Sequence, residues 1–155
     1  NSRSHWNAKK PPMRRRSAWS ADGGETWTDW RVVDILPDGP QDTSYGCFAG
    51  LVRLPIAGRD ILLYSNCDSP AGRKRGTVWV SFDGAKTWPL KRLVWEDPFQ
   101  YSSLSTGRPG TESEGWIYMH FEGRLPQSRV ARFNLSWLMA GEPTGDGEVP
   151  KIGGR

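Results

Sequence analysis

The sequence predicts an all-β protein assembled from repeated small antiparallel sheets, and three observations support this prediction. From Thr77 to Phe82 two sets of side chains alternate, which is the two-residue period of a β-strand. An eight-residue pattern, S-x-D-G-x-x-T-W, occurs twice, with Asp83 following Asp22 by 61 residues, and a period of this size indicates repeated sheet units. The 9 Trp, 18 Gly and 12 Pro are typical of short strands joined by many turns, with little helix.

Each copy of the eight-residue pattern predicts a tight turn that is closed by an aromatic side chain. In the second copy Asp83 is placed to accept hydrogen bonds from the amides that follow it, and Gly84 can adopt a positive φ. Trp88 is then expected to pack back over the loop. We therefore expect both copies on exposed turns between outer strands of separate sheets.

The first two sheet units are expected within residues 1–96. Residues 1–36 are interpreted as three strands, of which the first contains Arg3 and the other two flank the first turn. Residues 43–96 are interpreted as a complete four-stranded unit, with residues 44–54 as its innermost strand. Because a small sheet of this kind cannot bury both faces alone, the units must stack against one another.

A third unit is expected at residues 99–138, with three further strands, the second of them at residues 116–122 and the last at residues 130–138. Asn134 begins an Asn-Leu-Ser glycosylation sequon, but its strand-like surroundings argue against modification. Residues 139–155 are rich in Gly, Pro and charge and are expected to form a loose tail. The folded domain is therefore predicted to span residues 1–138.

The charge of the chain is modestly basic and gives no sign of a nucleic-acid partner. Its 155 residues contain 21 Lys and Arg against 17 Asp and Glu, for a formal net charge of +4. The dense basic run at residues 9–16 is interpreted as a solvated loop and strand edge, and no nucleic-acid-binding motif is visible. No apolar run is long enough to span a membrane.

Cys47 and Cys67 are the only cysteines, and they show no metal-ligand spacing. Each lies in or just after a predicted strand of the second unit. Two buried thiols are favoured, and a disulfide remains the alternative, which would require the two Cα atoms to lie within about 7 Å of each other.

The two turns resemble the Asp-box (BNR) repeats of exo-α-sialidases, also called neuraminidases, and of related β-propellers. The flanking segments sharpen the resemblance, because Leu62-Leu-Tyr-Ser-Asn, Arg73, the second turn and Tyr101-Ser-Ser-Leu follow the order of the C-terminal half of such an enzyme. The resemblance covers about residues 1–138. It implies a six-bladed β-propeller of the sialidase type, of which this chain supplies about the last three blades, with the missing N-terminal half upstream.

Arg3 and Arg73 match two of the three arginines with which sialidases bind the carboxylate of sialic acid. A planar guanidinium binds a carboxylate through two parallel hydrogen bonds and stays charged at every working pH. Arg75 lies on the same predicted loop as Arg73 and competes for this role, although its spacing to the following strand fits less well.

Tyr101 matches the catalytic nucleophile of the family. A carboxylate nucleophile would be repelled by the anomeric carboxylate of the substrate, whereas a neutral phenol is not, and tyrosine is the sialidase exception to the two-carboxylate scheme. The phenol needs a neighbouring base to draw off its proton. In the family that base is a glutamate on the strand preceding the one with Arg3, and the general acid is an aspartate further upstream, so this chain contains neither.

Three carboxylates near these positions have other interpretations. Glu122 matches a family carboxylate that orients one of the active-site arginines. Glu96 and Asp97 lie close to Tyr101 in sequence but are interpreted as turn residues on the outer side.

The leading hypothesis is an exo-α-sialidase that hydrolyses terminal sialic acids from glycoconjugates with retention of configuration, using a sialylated glycan as substrate and neither metal nor cofactor. The 155-residue chain alone is expected to be inactive. One alternative is a non-catalytic Asp-box propeller that binds glycans or proteins, and another is a hydrolase for a related acidic sugar. A secreted or periplasmic location is our first expectation, although no targeting segment assigns a compartment.

Overall fold

The computed structural model of the chain describes residues 12–42, 46–124 and 126–147, which form ten strands and one short helix. In chain order they are β1 (Arg14–Trp19), β2 (Thr28–Pro37), β3 (Gly50–Arg53), β4 (Leu62–Cys67), β5 (Lys74–Ser81), β6 (Leu90–Pro98), β7 (Ser102–Thr106), β8 (Trp116–Glu122), β9 (Ser128–Asn134), α1 (Leu135–Met139) and β10 (Glu142–Pro143). The strands form three antiparallel sheets, which we call the first (β1-β2), second (β10-β6-β5-β4-β3) and third (β7-β8-β9) sheets. The all-β prediction is confirmed.

The second sheet is buried on both faces by its two neighbours. The alternation predicted along β5 places Trp79 on one face, where it packs with Tyr64 of β4 and with Leu36 of the first sheet. Val78 and Val80 lie on the other face, in a larger cluster that includes residues of the third sheet. The two-residue period of the strand therefore determines which side chains contact which neighbouring sheet.

A buried hydrogen-bond network centred on Arg15 joins the first and second sheets. The Arg15 guanidinium on β1 lies 2.9 Å from the Asp38 carboxylate, and both side chains are almost fully buried. The same guanidinium donates to the Tyr64 hydroxyl at 2.7 Å and to the Cys47 carbonyl. Burial raises the pKa of the Tyr64 phenol, which therefore stays neutral and donates to the Pro37 carbonyl at 2.7 Å. Because a buried charge needs these partners, the network fixes the relative position of the two sheets.

The innermost strand of the second sheet is shorter than the predicted 44–54. Strand β3 begins only at Gly50, and residues 43–45 lie outside the described residues. The Cys47 amide donates to the Asp38 carbonyl at 2.8 Å, and the Phe48 carbonyl accepts from the Ser102 amide at 3.2 Å. The backbone before Gly50 is thus bonded to neighbouring segments instead of to β4, which the local sequence does not reveal.

The predicted last strand at residues 130–138 is wrong over its second half. Strand β9 ends at Asn134, and residues 135–139 form α1. The Asn134 side chain accepts the Trp137 amide at 2.9 Å, which is the N-cap interaction that starts a helix. The sequon asparagine is therefore the last residue of β9 and also the N-cap of α1.

Part of the segment that was expected to form a loose tail is bonded to the second sheet. Glu142 and Pro143 form β10 and pair with Lys91 and Leu90 of β6. The Thr144 amide donates to the Pro89 carbonyl at 2.9 Å. The composition of the segment favours disorder, but the open edge of β6 supplies partners for its backbone. Residues 148–155 lie outside the described residues.

The two copies of the eight-residue pattern form loops with the same hydrogen bonds, at residues 20–27 and 81–88, which we call the first and second aspartate loops. In each, the serine hydroxyl accepts the amide four residues further on, at 2.7 Å in the first loop and 2.8 Å in the second. The aspartate carboxylate accepts the threonine amide at 2.9 Å in both loops and also receives the threonine hydroxyl. They connect β1 to β2 and β5 to β6, so they belong to separate sheets, as predicted.

These hydrogen bonds change the acidity of both aspartates. Bonds from Thr26 and Ser20 hold the pKa of Asp22 well below its usual range. Burial by itself raises the pKa of Asp83, but the bonds from Thr87, Ser81 and Lys86 outweigh it, so the pKa is lowered. Both carboxylates are therefore held in the ionised form that the loops require.

We expect Asp83→Ala to lower the free energy of unfolding by about 1–3 kcal/mol, because two backbone amides and the Thr87 hydroxyl lose their acceptor in a partly buried loop. Asp22→Ala is the matched control and should cost less, since water can replace the carboxylate in the exposed first loop. Urea denaturation at pH 7 measures both losses.

The Asp83 contribution also has an expected pH dependence. Because the folded-state pKa is lowered, the contribution is fully present above the unfolded pKa of about 3.9 and is lost as pH falls below it. The stability difference between the wild type and Asp83→Ala should therefore shrink from about pH 4 downward. A difference that stays constant to lower pH, or a larger loss for Asp22→Ala at pH 7, would contradict this account.

Candidate functional site

Two of the sequence-predicted site residues, Arg73 and Tyr101, belong to different sheets and meet in the structure. Arg73 lies on the loop between β4 and β5, and Tyr101 lies directly before β7. The guanidinium carbon of Arg73 is 5.2 Å from the centroid of the Tyr101 ring. The Arg73 guanidinium therefore lies over the Tyr101 ring and does not point away from it.

Gln100 connects this pair to the third sheet, and no sequence motif pointed to this residue. The Arg73 Nη1 donates to Gln100 Oε1 at 3.0 Å, and Gln100 Nε2 donates to the Gly123 carbonyl at 3.1 Å. The backbone amide of Gln100 also donates to the Glu122 carbonyl at 2.8 Å. Because the Gln100 side-chain amide is hydrogen-bonded through both its oxygen and its nitrogen, it holds the Arg73 guanidinium in one orientation. Its partners are 23–27 residues away in sequence, so no local pattern indicates them.

Phe99 anchors the backbone that carries Gln100 and Tyr101. Its ring is fully buried and stacks on Phe121, with centroids 4.9 Å apart. Its amide donates to the Arg73 carbonyl at 2.9 Å. Gly76 of β5 leaves room for the ring, because a Cβ added there would lie 2.1 Å from it. The glycine inside a strand is the one sequence signal for this close approach.

Glu122 is the last residue of β8 and is linked to Tyr101 through the backbone. Its amide donates to the Tyr101 carbonyl at 3.0 Å. Along β8 the buried Ile117, Met119 and Phe121 pack toward the second sheet, so the half-buried Glu122 side chain lies on the opposite face. The structure therefore places this carboxylate on the face of the third sheet that is turned away from the second sheet.

The other sequence candidates are placed differently. Arg75 has a positive φ of 60°, and its Nη1 lies 2.8 Å from both carboxylate oxygens of Glu96, on the exposed surface. This ion pair turns Arg75 away from the site. Glu96 and Asp97 belong to strand β6, so their interpretation as turn residues is wrong. Arg3 lies outside the described residues.

Cys47 and Cys67 are both fully buried and are not joined by a disulfide, with their sulfur atoms 3.8 Å apart. Cys67 ends β4, and Cys47 precedes β3, which pairs with β4. The prediction of two buried thiols at the ends of paired strands is confirmed. Among the described residues no group of three or more His, Cys, Asp or Glu side chains could hold a metal ion, and no helix has the length and apolar character of a membrane span.

The sequence of this chain is similar to those of known sialidases. It is 32% identical over 124 residues to a sialidase of Micromonospora viridifaciens, a match that covers 80% of this chain and 18% of the relative. It is 31% identical over 99 residues to a sialidase of Bacteroides fragilis (strain YCH46), covering 59% of this chain and 17% of the relative. An anhydrosialidase of Macrobdella decora is 35% identical over 63 residues, or 39% of this chain and 8% of the relative. No family model matches the chain.

Solved structures of similar fold are also sialidases. The Hadza microbial sialidase Hz136 superimposes with a TM-score of 0.60 and 26% identity, over 78% of this chain and 23% of that one. A leech intramolecular trans-sialidase in complex with 2,7-anhydro-Neu5Ac gives a TM-score of 0.65 at 20% identity, covering 83% of this chain and 21% of that one. At this identity the second likeness bears on the fold alone.

The three stacked antiparallel sheets and these neighbours define an all-β chain that forms part of a β-propeller. The chain belongs to the sialidase family. It spans less than a fifth of the length of the curated relatives that it matches.

We expect Gly76→Ala to lower the free energy of unfolding by about 1–3 kcal/mol, because the added methyl group would displace the Phe99 ring and the backbone leading to Tyr101. Gly123→Ala is the matched control, since a Cβ there meets its nearest neighbour at an ordinary 3.5 Å. Urea denaturation and near-UV circular dichroism of the aromatic residues would measure the effect. Equal stability of the two variants would show that Phe99 does not depend on the missing side chain at residue 76.

Proposed function

We propose that this chain is the C-terminal half of the catalytic propeller of an exo-α-sialidase, which releases terminal sialic acids from glycoconjugates with retention of configuration. The observation that carries the proposal is the Arg73–Tyr101 pair, which two separate sheets bring together in a chain of the sialidase family. Both residues match functional positions of the family in type and in order along the chain.

Arg73 is proposed to bind the carboxylate of sialic acid. One nitrogen of its guanidinium is bonded to Gln100, and this contact fixes the plane of the group before a substrate arrives. A guanidinium that is held in advance loses less side-chain entropy on binding, which favours a planar two-bond contact with a carboxylate. Arg3 is proposed to add a second guanidinium, and a third would come from the part of the propeller upstream.

Tyr101 is proposed to be the nucleophile. Its oxygen would attack the anomeric carbon, the bond to the aglycone would break, and a covalent glycosyl-enzyme would form, which water then hydrolyses. The phenol must lose its proton as its oxygen attacks, so a base is required nearby. Glu96 is unsuited to take that proton, because it is exposed and paired with Arg75. The base and the acid are therefore proposed to lie upstream.

The exposed face of the first sheet supports the proposal that further propeller units lie upstream. Trp88, at the end of the second aspartate loop, is only 2% exposed, because it packs against the first sheet. Trp27 occupies the same position in the first loop and is 53% exposed, and the neighbouring Trp30 and Val32 of β2 are 66% and 52% exposed. An upstream sheet would cover these side chains as the first sheet covers Trp88.

Glu122 is proposed to orient an arginine that the rest of the propeller supplies. Its carboxylate lies on the face of the third sheet that is turned away from the second sheet, where the next blade of a closed ring would pack. Its backbone is fixed to Tyr101, so an arginine bonded there would be held close to the nucleophile.

Arg73→Lys in the complete polypeptide is expected to lower kcat/KM by about 10–200-fold, mostly through KM, because a lysine cannot make the planar two-bond contact. Arg75→Lys is the matched control two residues further along the chain, on β5, and should change kcat/KM by less than about twofold, since Arg75 is paired with Glu96 at the surface. Steady-state hydrolysis of an aryl sialoside that releases a fluorescent phenol provides the measurement. Equal losses of kcat/KM in both variants would show that Arg73 has no specific role in binding the substrate.

Tyr101→Phe in the complete polypeptide is expected to lower kcat on the order of 10³-fold or more, with the fold retained, because the ring stays and the nucleophilic oxygen is lost. The 155-residue chain alone is expected to show no turnover, since the missing acid and base each contribute about 10²–10⁴-fold. Chromatography of the released sugar would separate free sialic acid from an anhydro product. A complete polypeptide that binds sialosides without cleaving them would favour the alternative, a non-catalytic propeller that binds glycans.

A further inference from the structure

We propose that Cys47 and Cys67 are a redox pair whose disulfide joins the segment just before β3 to the end of β4 and adjusts the segment that carries Tyr101. The formation of the bond is independent of the proposed function. Its effect on Tyr101 rests on that function, and the two parts are tested by separate measurements.

The geometry of the pair favours a bond. Strands β3 and β4 pair in register, with Gly50 opposite Ser65, which brings the chain just before β3 beside the end of β4. Both sulfur atoms lie in the buried cluster between the second and third sheets, 3.8 Å apart. Rotation of the two side chains would close this gap to a disulfide bond length of about 2.05 Å.

The oxidant in this proposal is a small-molecule disulfide such as oxidised glutathione. The thiolate of one cysteine attacks the oxidant to form a mixed disulfide and releases one glutathione thiol. The second cysteine then attacks the protein sulfur and releases the other, so two electrons and two protons pass from the protein thiols to glutathione. The contact with the Cys47 sulfur, together with burial, raises the pKa of the Cys67 thiol, so thiolate is scarce in the folded protein. Oxidation is therefore fastest while the chain folds.

The Cys67 thiol is linked to the candidate site through Phe99. Its S–H donates to the Phe99 carbonyl at 3.0 Å, and the Phe99 amide is bonded to the Arg73 carbonyl. A disulfide carries no S–H, so oxidation removes this donor from a carbonyl in a buried environment. The chain that runs from Phe99 to Tyr101 would then adjust its position. The oxidised form is expected to be more resistant to unfolding, because the bond closes a loop of about 20 residues in the unfolded chain.

The decisive experiment maps the bond directly. The complete polypeptide is refolded in oxidised glutathione or in dithiothreitol, its free thiols are alkylated after denaturation, and it is digested with trypsin. Cleavage after arginine gives peptide 32–53, which contains Cys47, and peptide 60–73, which contains Cys67. The oxidised sample should yield these two peptides as one cross-linked species, which reduction separates. Recovery of both peptides only in alkylated form after oxidising refolding would overturn the proposal without reference to activity.

The effect on the site is tested with the two forms of the wild type and with Cys47→Ser. The oxidised wild type should melt at a higher temperature and hydrolyse an aryl sialoside with a kcat lower by roughly two- to tenfold, which dithiothreitol reverses. Cys47→Ser keeps the Cys67 thiol and cannot form the bond, so it should not respond to either reagent. If Cys47→Ser does not fold, Cys67→Ser replaces it as the variant that cannot form the bond. The serine hydroxyl at residue 67 can still donate to the Phe99 carbonyl. Equal kcat values for the two wild-type forms would overturn the link to Tyr101.

Discussion

The second sheet must be covered on both faces, and the rest of the structure depends on this constraint. Its strands β4 and β5 carry apolar or aromatic side chains on each face, so neither face can remain in water. The first sheet covers one face and is held there by the hydrogen bond from Arg15 to the Tyr64 hydroxyl, and the third sheet covers the other face. Stacking the sheets also brings their connecting loops together at one edge, which is how Arg73 comes to lie beside Tyr101.

Elements that depend on local periodicity could be predicted from the sequence, whereas elements that depend on distant partners could not. Strand β8 has the predicted bounds, because apolar residues alternate throughout its length. The late start of β3 depends on hydrogen bonds that the Cys47 amide donates and the Phe48 carbonyl accepts, both with segments outside its own hairpin. Likewise, β10 exists because β6 offers an open edge, although its own residues favour a loop. Tertiary contacts outweighed local preference in both cases.

The same division applies to the candidate site. Arg73 and Tyr101 could be proposed because their motifs occur in a recognisable order along the chain. Gln100 could not, since its importance comes from bonds to Arg73 and Gly123, which the fold brings near it. For Phe99 the sequence contains only one indirect indication, the glycine at residue 76 that makes room for its ring. Positioning residues are defined by three-dimensional contacts, so their local sequence carries little information about them.

The two aspartate loops keep the same internal hydrogen bonds although one is exposed and the other is partly covered. Each loop satisfies its serine, aspartate and threonine groups within eight residues, so it needs no particular neighbour to hold its shape. A pair of strands joined by such a loop is therefore a portable module. Gene duplication could copy it to a new position in the chain without a compensating change elsewhere, and only the residues on the outer surface of each copy would need to adapt to the new neighbours.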